Sequence, residues 1–219
     1  MTDVAADEGL DRHAVLACLR GTRPPKDLTR GGLSGLSTPL SAALAARLAT
    51  PAIPAAVLVP LLQRDSGRLE VVFTERAPHL RRHAGQISFP GGRIDPGDQG
   101  PAAAALREAR EEIGLVPQSV MLAGYLDAQL TITGFAVTPV VGVIEEADYR
   151  PRPAPGEVAS VFTAPLGFFL DPANRRVGQR EVHGSCFEVV EYHWAGHRIW
   201  GATAAILIRF TQLLIENNK

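Results

Sequence analysis

The sequence predicts a mixed α/β (α+β) fold, and three observations carry that expectation. Apolar runs of strand length at residues 55–62 and 69–74 flank the turn-forming Arg64-Asp65-Ser66-Gly67, which reads as a β-hairpin. A segment of helical periodicity at 102–113 follows instead of another strand. Two more β-rich runs, 120–127 and 136–144, come after it, and the second is apolar enough to lie centrally in a sheet.

The remaining elements follow in chain order. Residues 1–39 read as an N-terminal helical arm and linker. They hold a short amphipathic segment at 11–19 and a Pro/Gly-rich link at 21–35. A second helix is expected at 39–48, with Thr38 as its N-cap and Pro39 in the first helical position. The main domain is expected to span residues 40–219. Beyond residue 144 the sequence predicts a short strand at 158–162, a hairpin of 187–194 with 198–200 across Ala195-Gly196, and a closing helix at 203–215.

Composition narrows the function classes. The chain has 219 residues, which suits one domain or a domain with an extension. At 46% hydrophobic and 21% charged it is an ordinary folded chain, and its net charge of -1 argues against a sequence-blind nucleic-acid binder, so no nucleic-acid partner is expected. Of 22 basic residues only Lys26 and Lys219 are lysines; arginine suits bidentate phosphate contacts, although compositional bias alone produces such a skew. Cys18 and Cys186 are too few for a disulfide framework or a cysteine zinc site. The N-terminus is acidic where a signal peptide is basic, and the most apolar stretch, 51–62, carries Pro51, Pro54 and Pro60 and is too short to span about 30 Å of hydrocarbon. A cytoplasmic protein with no membrane partner is the expectation.

The segment from 91 to 114 carries the chemistry. Pro101 opens its helix and Gly114 stops it. Ala102, Ala105, Leu106, Ala109 and Ile113 share one side, which is expected to press on a sheet; Glu108, Glu111 and Glu112 fall in an arc of about 100° turned away from it. Three carboxylates at i, i+3 and i+4 repel one another, and near a helix C-terminus the dipole disfavours them too. A hard divalent cation reverses the sign of both effects. The alternative at this point is a solvated acidic face paired with Arg107 and Arg110.

The arrangement Gly92-x5-Asp98-x8-Arg107-Glu108-Ala109-x-Glu111-Glu112-x-Gly114-Leu115 resembles the Nudix box, G-x5-E-x7-R-E-U-x-E-E-x-G-U, where U is a bulky aliphatic residue. Asp98 replaces the first Glu, the next spacer is one residue longer, and Ala109 is smaller than usual. The resemblance implies a Nudix-like α/β/α sandwich with a mixed central β-sheet. It implies Mg²⁺ or Mn²⁺ held by Glu108 and Glu112, with Glu111 as a further ligand or the residue that activates water. Arg107 then orients the glutamates, Asp98 shapes the loop, and Gly91 and Gly92 let backbone approach the phosphates.

Upstream, Thr74-Glu-Arg76-Ala-Pro-His-Leu-Arg81-Arg-His-Ala-Gly85-Gln-Ile-Ser-Phe89-Pro-Gly-Gly92 is similar to the signature of the coenzyme A pyrophosphatase branch, T-x-R-(S or A)-x3-R-x3-G-x3-F-P-G-G. This likeness implies hydrolysis of the pyrophosphate bond of coenzyme A or acyl-coenzyme A, giving adenosine 3′,5′-bisphosphate and (acyl-)4′-phosphopantetheine. Arg76 and Arg81 are then phosphate contacts, with Arg82 a weaker candidate, His83 either a hydrogen bond to phosphate or a support for the loop, and Phe89 a packing anchor. Glu157 reads as a solvated strand-start residue before it reads as an additional metal ligand or base, and Asp127, Glu145 and Glu146 carry the same ambiguity with less to support a ligand role. The alternatives are a Nudix pyrophosphatase acting on ADP-ribose, dinucleotides or nucleoside triphosphates, and a non-catalytic nucleotide-sensing module. The partner is a small-molecule substrate, and a homodimer is left open.

Overall fold

A computed structural model describes residues 10–35, 39, 41–64, 66–80 and 83–217. Its centre is an eight-stranded mixed sheet. Strands β1 (Ile53–Gln63) and β2 (Leu69–Arg76) form the expected hairpin, with Leu61 opposite Val71 and Gln63 opposite Leu69. On its other edge β1 runs parallel to β7 (Phe135–Ile144), from Ile53 opposite Phe135 to Leu62 opposite Ile144. β5 (Val120–Tyr125) and the short β6 (Gln129–Leu130) add antiparallel to β7, so the long apolar run at 135–144 is central, as its composition predicts.

Past the hairpin turn β1 and β2 diverge, and residues 87–93 fill the fork. β3 (Ile87–Ser88) pairs with β2, placing Ser88 opposite Thr74; β4 (Gly91–Arg93) pairs with β1, placing Gly92 opposite Ala56. β8 (Val158–Pro165) covers the outer edge of β2. The sequence signals none of β3, β4 or β6, each of which is two or three residues long and lacks a readable alternation.

Helix α3 (Pro101–Ile113) lies on one face of the sheet, over a cluster that includes Ala56, Leu58, Val72, Ala105, Ala109, Ile113, Val140 and Ile144. The larger cluster fills the opposite face, around Val59, Phe73, Phe89, Val141, Phe169, Tyr192 and Phe210. It is covered by α4 (Leu166–Leu170), α5 (Gly201–Asn217) and a second, three-stranded antiparallel sheet of β9 (Arg176–Val182), β10 (Ser185–Trp194) and β11 (His197–Trp200). Helices thus flank both faces of a mixed sheet, the expected sandwich. β10, β11 and α5 match the expected hairpin and final helix. β9 escapes prediction because it is an almost wholly exposed edge strand, whose Arg-Val-Gly-Gln-Arg-Glu-Val carries no buried stripe.

Helix α1 (Arg12–Leu19) is capped by Asp11, whose carboxylate accepts the backbone N–H groups of His13 and Ala14. Its Val15 and Leu19 are fully buried in the larger cluster, against β5 and α5. This segment, read from sequence as part of an arm, is packed into the body. Thr38, the expected cap of the second helix, lies outside the described residues. The observed α2 (Ala42–Leu48) is capped by Ser41, whose hydroxyl accepts the N–H of Leu44.

Candidate active site

Both ends of α3 are fixed by the chain around it. Pro101 occupies the first turn, and Gly114 closes the helix in the left-handed region at φ 67°, donating to the carbonyls of Ala109 and Arg110. The last carbonyls, which a helix leaves unpaired, are taken by the loop before β8. Tyr149 Oη donates to Ile113 O at 2.8 Å, as does the Arg152 N–H at 2.9 Å, and the Ala154 N–H donates to Glu112 O at 2.8 Å. The same loop carries Glu157.

The three glutamates do not share one environment. Glu111 is exposed, with 59% of its side chain open. Glu108 is half-buried, and Glu112 is only 4% exposed. The expectation that all three turn away from the packed side is therefore corrected for Glu112. The reason is β4: the fork strand lies along α3 beside its sheet contact, and having Gly91 and Gly92 in place of larger residues it leaves room for carboxylates under its backbone. The Gly91 N–H donates to Glu112 Oε2 at 3.2 Å. A Cβ on Gly92 would overlap the Glu108 carboxylate, and one on Gly91 would strike the backbone of Ala56 and Val57.

Burial dominates the electrostatics. Desolvation pushes the Glu112 carboxyl up to about 7, against the Gly91 amide and the Arg76 charge, while Glu108 and Glu157 push it further up. Burial also raises Glu108, partly offset by Arg107, and Glu111 and Glu157 add to the rise. The sequence leaves Glu157 ambiguous; the structure places its charge within electrostatic reach of Glu108 and Glu112, while its side chain stays in solvent.

Arg107 is the hub of the surrounding network. Its Nε and Nη2 form a fork on the two oxygens of Asp98, at 3.1 and 3.0 Å, and Nη2 also donates to Arg93 O at 3.0 Å. Nη1 donates to Glu108 Oε1 at 2.8 Å and to Glu111 Oε2 at 3.4 Å. Asp98 also accepts the Asp95 N–H at 2.8 Å, and the Arg107 bonds hold its carboxyl below the usual carboxylate range. Asp98 therefore organises the loop and Arg107.

Arg76, at the end of β2, points to the same side. Its Nη1 lies 4.0 Å from Glu112 Oε1, and its Nε is buried with no hydrogen-bond partner. Arg81 and Arg82 lie outside the described residues. Phe89 is buried in the larger cluster and stacks on Phe73 with centroids 5.2 Å apart, a packing position beneath the glycine corner. The Arg209 guanidinium pairs with Asp127 at 3.1 Å, and Glu145 and Glu146 are exposed beyond β7.

Glu108, Glu112 and Glu111 supply hard carboxylate oxygens of the kind Mg²⁺ and Mn²⁺ accept. Among the described residues no three acidic, histidine or cysteine side chains converge as a ready-made cation cluster. Arg107 holds Glu108 and Glu111, and Glu112 sits on the Gly91 side. The fit to a dication rests on Glu112: a buried carboxylate whose ionised form one amide and a guanidinium 4.0 Å away leave under-stabilised. Among the described residues no helix is long and apolar enough to cross a membrane.

The chain is similar in sequence to known proteins. The chain is 39% identical over 167 residues to "Nudix hydrolase 15, mitochondrial" of Arabidopsis thaliana, a match covering 74% of this chain and 59% of that protein. The chain thus spans less than two thirds of the Arabidopsis protein. It is 41% identical over 153 residues to the "Uncharacterized Nudix hydrolase NudL" of Salmonella paratyphi B, covering 70% of this chain and 78% of the relative. Among solved structures, the Nudix hydrolase RenU of M. smegmatis is similar with a TM-score of 0.45 and 24% identity, over 52% of this chain and 71% of that one. Residues 52–182, which run from the start of β1 to the end of β9 and include α3 with its glutamates, match the family described as the NUDIX domain, and the chain belongs to that family.

Proposed function

We propose that the protein is a metal-dependent pyrophosphatase of nucleoside diphosphate derivatives, with coenzyme A or acyl-coenzyme A as substrate. The observation that carries the catalytic reading is the buried Glu112 beneath the Gly91 amide, beside Glu108 and facing Arg76. Support for coenzyme A comes from the Thr74-to-Gly92 signature, whose Thr74, Arg76 and glycine corner converge on one side of the β1–β2 fork.

Nudix hydrolases generally use Mg²⁺ or Mn²⁺; here Glu108 and Glu112 would hold the ion with Glu111 completing the set. Such an ion, when bound, neutralises charge on neighbouring phosphate oxygens and makes water a better nucleophile. The protein's own residues do the rest. Gly91 and Gly92 let the diphosphate approach backbone. Arg76 offers its guanidinium, including the orphan Nε, to non-bridging oxygens. Arg107, locked on Asp98, fixes Glu108 and Glu111 and touches no substrate. Arg81 is assigned a second phosphate contact by the signature alone.

The test is kcat/KM with Mg²⁺ or Mn²⁺ for coenzyme A, acetyl-coenzyme A, ADP-ribose, a dinucleoside polyphosphate and a nucleoside triphosphate. Coenzyme A or its acetyl form should lead, releasing adenosine 3′,5′-bisphosphate. A lead for any other substrate overturns the coenzyme A assignment, and absence of turnover with all of them overturns the hydrolase.

A further inference from the structure

We propose that the hydroxyl of Ser88 is a specificity-determining donor to the anionic oxygens of the substrate's diphosphate, oriented by Thr74 and acting beside Arg76. The proposal rests on the diphosphate reading above and adds a residue that neither the helix pattern nor the fixed positions of the upstream signature mark.

The placement follows from strand geometry. Ser88 stands directly opposite Thr74 in the antiparallel β2–β3 ladder, so the two side chains rise from the same face. Arg76 lies two residues beyond Thr74, past an irregularity in the β2–β8 register, and its Nη1, 4.0 Å from Glu112 Oε1, puts it on the same side. The neighbours of Ser88 in sequence, Ile87 and Phe89, are buried in the larger cluster on the other face. Ser88, Thr74 and Arg76 therefore line the α3 side of the sheet, where Arg76 reaches Glu112, and three residues after Ser88 the chain enters the glycine corner.

Proton accounting gives the hydroxyls their roles. Thr74, buried at 1% exposure, has one hydroxyl proton and donates it to the Ser88 carbonyl at 3.1 Å. The two hydroxyl oxygens also lie 3.0 Å apart, a contact either can donate; with the Thr74 proton on the carbonyl, it is made by the Ser88 proton. Ser88 is half-buried on the α3 side of the sheet, and rotation about one bond redirects its hydroxyl proton away from Thr74. Independently, Arg76 Nε is a buried donor with no partner. Buried donors are normally satisfied. An oxyanion bound beside them gives Arg76 the acceptor it lacks and offers the Ser88 proton an alternative to Thr74; a cation does neither.

The experiment compares wild type with Ser88→Ala, Ser88→Cys and Ser88→Thr, by calorimetry with methylenebisphosphonate in Mg²⁺ buffer and by steady-state kinetics. Loss of one hydrogen bond to a charged acceptor is expected to weaken probe binding about tenfold in the Ala and Cys variants and to raise KM similarly. kcat and the melting temperature should stay close to wild type. Ser88→Thr, which keeps the hydroxyl, should bind within about threefold of wild type. Ala or Cys variants that bind the probe as tightly as wild type overturn the role of Ser88 while leaving the functional reading intact. A wild-type protein that neither binds the probe nor cleaves any diphosphate overturns the reading on which the proposal stands.

Discussion

The backbone N–H of Gly91 reaches Glu112 Oε2 at 3.2 Å, joining the fork strand to the last turn of α3. Glu112→Gln keeps the side-chain shape and an oxygen for that amide but removes the charge. Its kcat should fall by about a thousandfold or more while circular dichroism stays native. A rate within tenfold of wild type contradicts the metal assignment.

Stability should carry the mark of the same residue. A carboxyl at about 7 in the folded state, against 4.5 in its ordinary state, binds its proton more tightly when folded. Its contribution is present in full below pH 4.5 and is lost as pH rises through 7, at a cost of up to about 3 kcal/mol. With EDTA present, the melting temperature should therefore drop from pH 5 to pH 8 more steeply in wild type than in Glu112→Gln. Adding Mn²⁺ at pH 8 should restore most of the loss. Parallel pH profiles for the two proteins would contradict this.

Arg107→Ala strips both bonds from Asp98, whose side chain is only 7% exposed, and frees Glu108 and Glu111. A destabilisation of about 2 to 4 kcal/mol in urea unfolding is expected. Arg107→Lys should recover less than half of it, because a single ammonium cannot form the fork.

The two glycines of the corner should respond differently. Gly92→Ala pushes on the movable end of Glu108, so activity should fall with little change in stability. Gly91→Ala drives a methyl into backbone on β1 and should lower the melting temperature markedly. Equal stability losses for the two variants would contradict this separation.

Removing residues 1–38 should destabilise the protein, because Leu10, Val15 and Leu19 fill the larger cluster and Thr22 Oγ1 accepts the Tyr125 N–H at 2.8 Å. The measurement is the urea midpoint of the truncated chain; an unchanged midpoint would mean the segment is dispensable.

Much of this architecture is legible in the sequence because it follows local rules. β1, β2, β7 and α3 announce themselves by apolar runs, turn residues and helix punctuation. The glutamates of α3 are legible as a cluster. Their division into exposed Glu111, half-buried Glu108 and buried Glu112 is not, because it depends on β4, a three-residue strand fixed by tertiary pairing. Ser88 is hidden for the same reason: its significance lies in the Thr74 register across a ladder of two pairs. β9 has no buried side to betray it, and the burial of α1 is decided by partners more than a hundred residues away.

The parallel pairing of β1 with β7 has a consequence for how the molecule comes into being. The glycine corner, α3 and Arg76 all belong to the stretch looped out between those two strands, so the central ladder closes only after that whole stretch has been gathered in. Such distant closure is slow, and the cleft is not finished until it occurs. Acquisition of the phosphate-handling pocket should therefore coincide with the final cooperative step of folding, and a nascent chain ending before Phe135 should be inert.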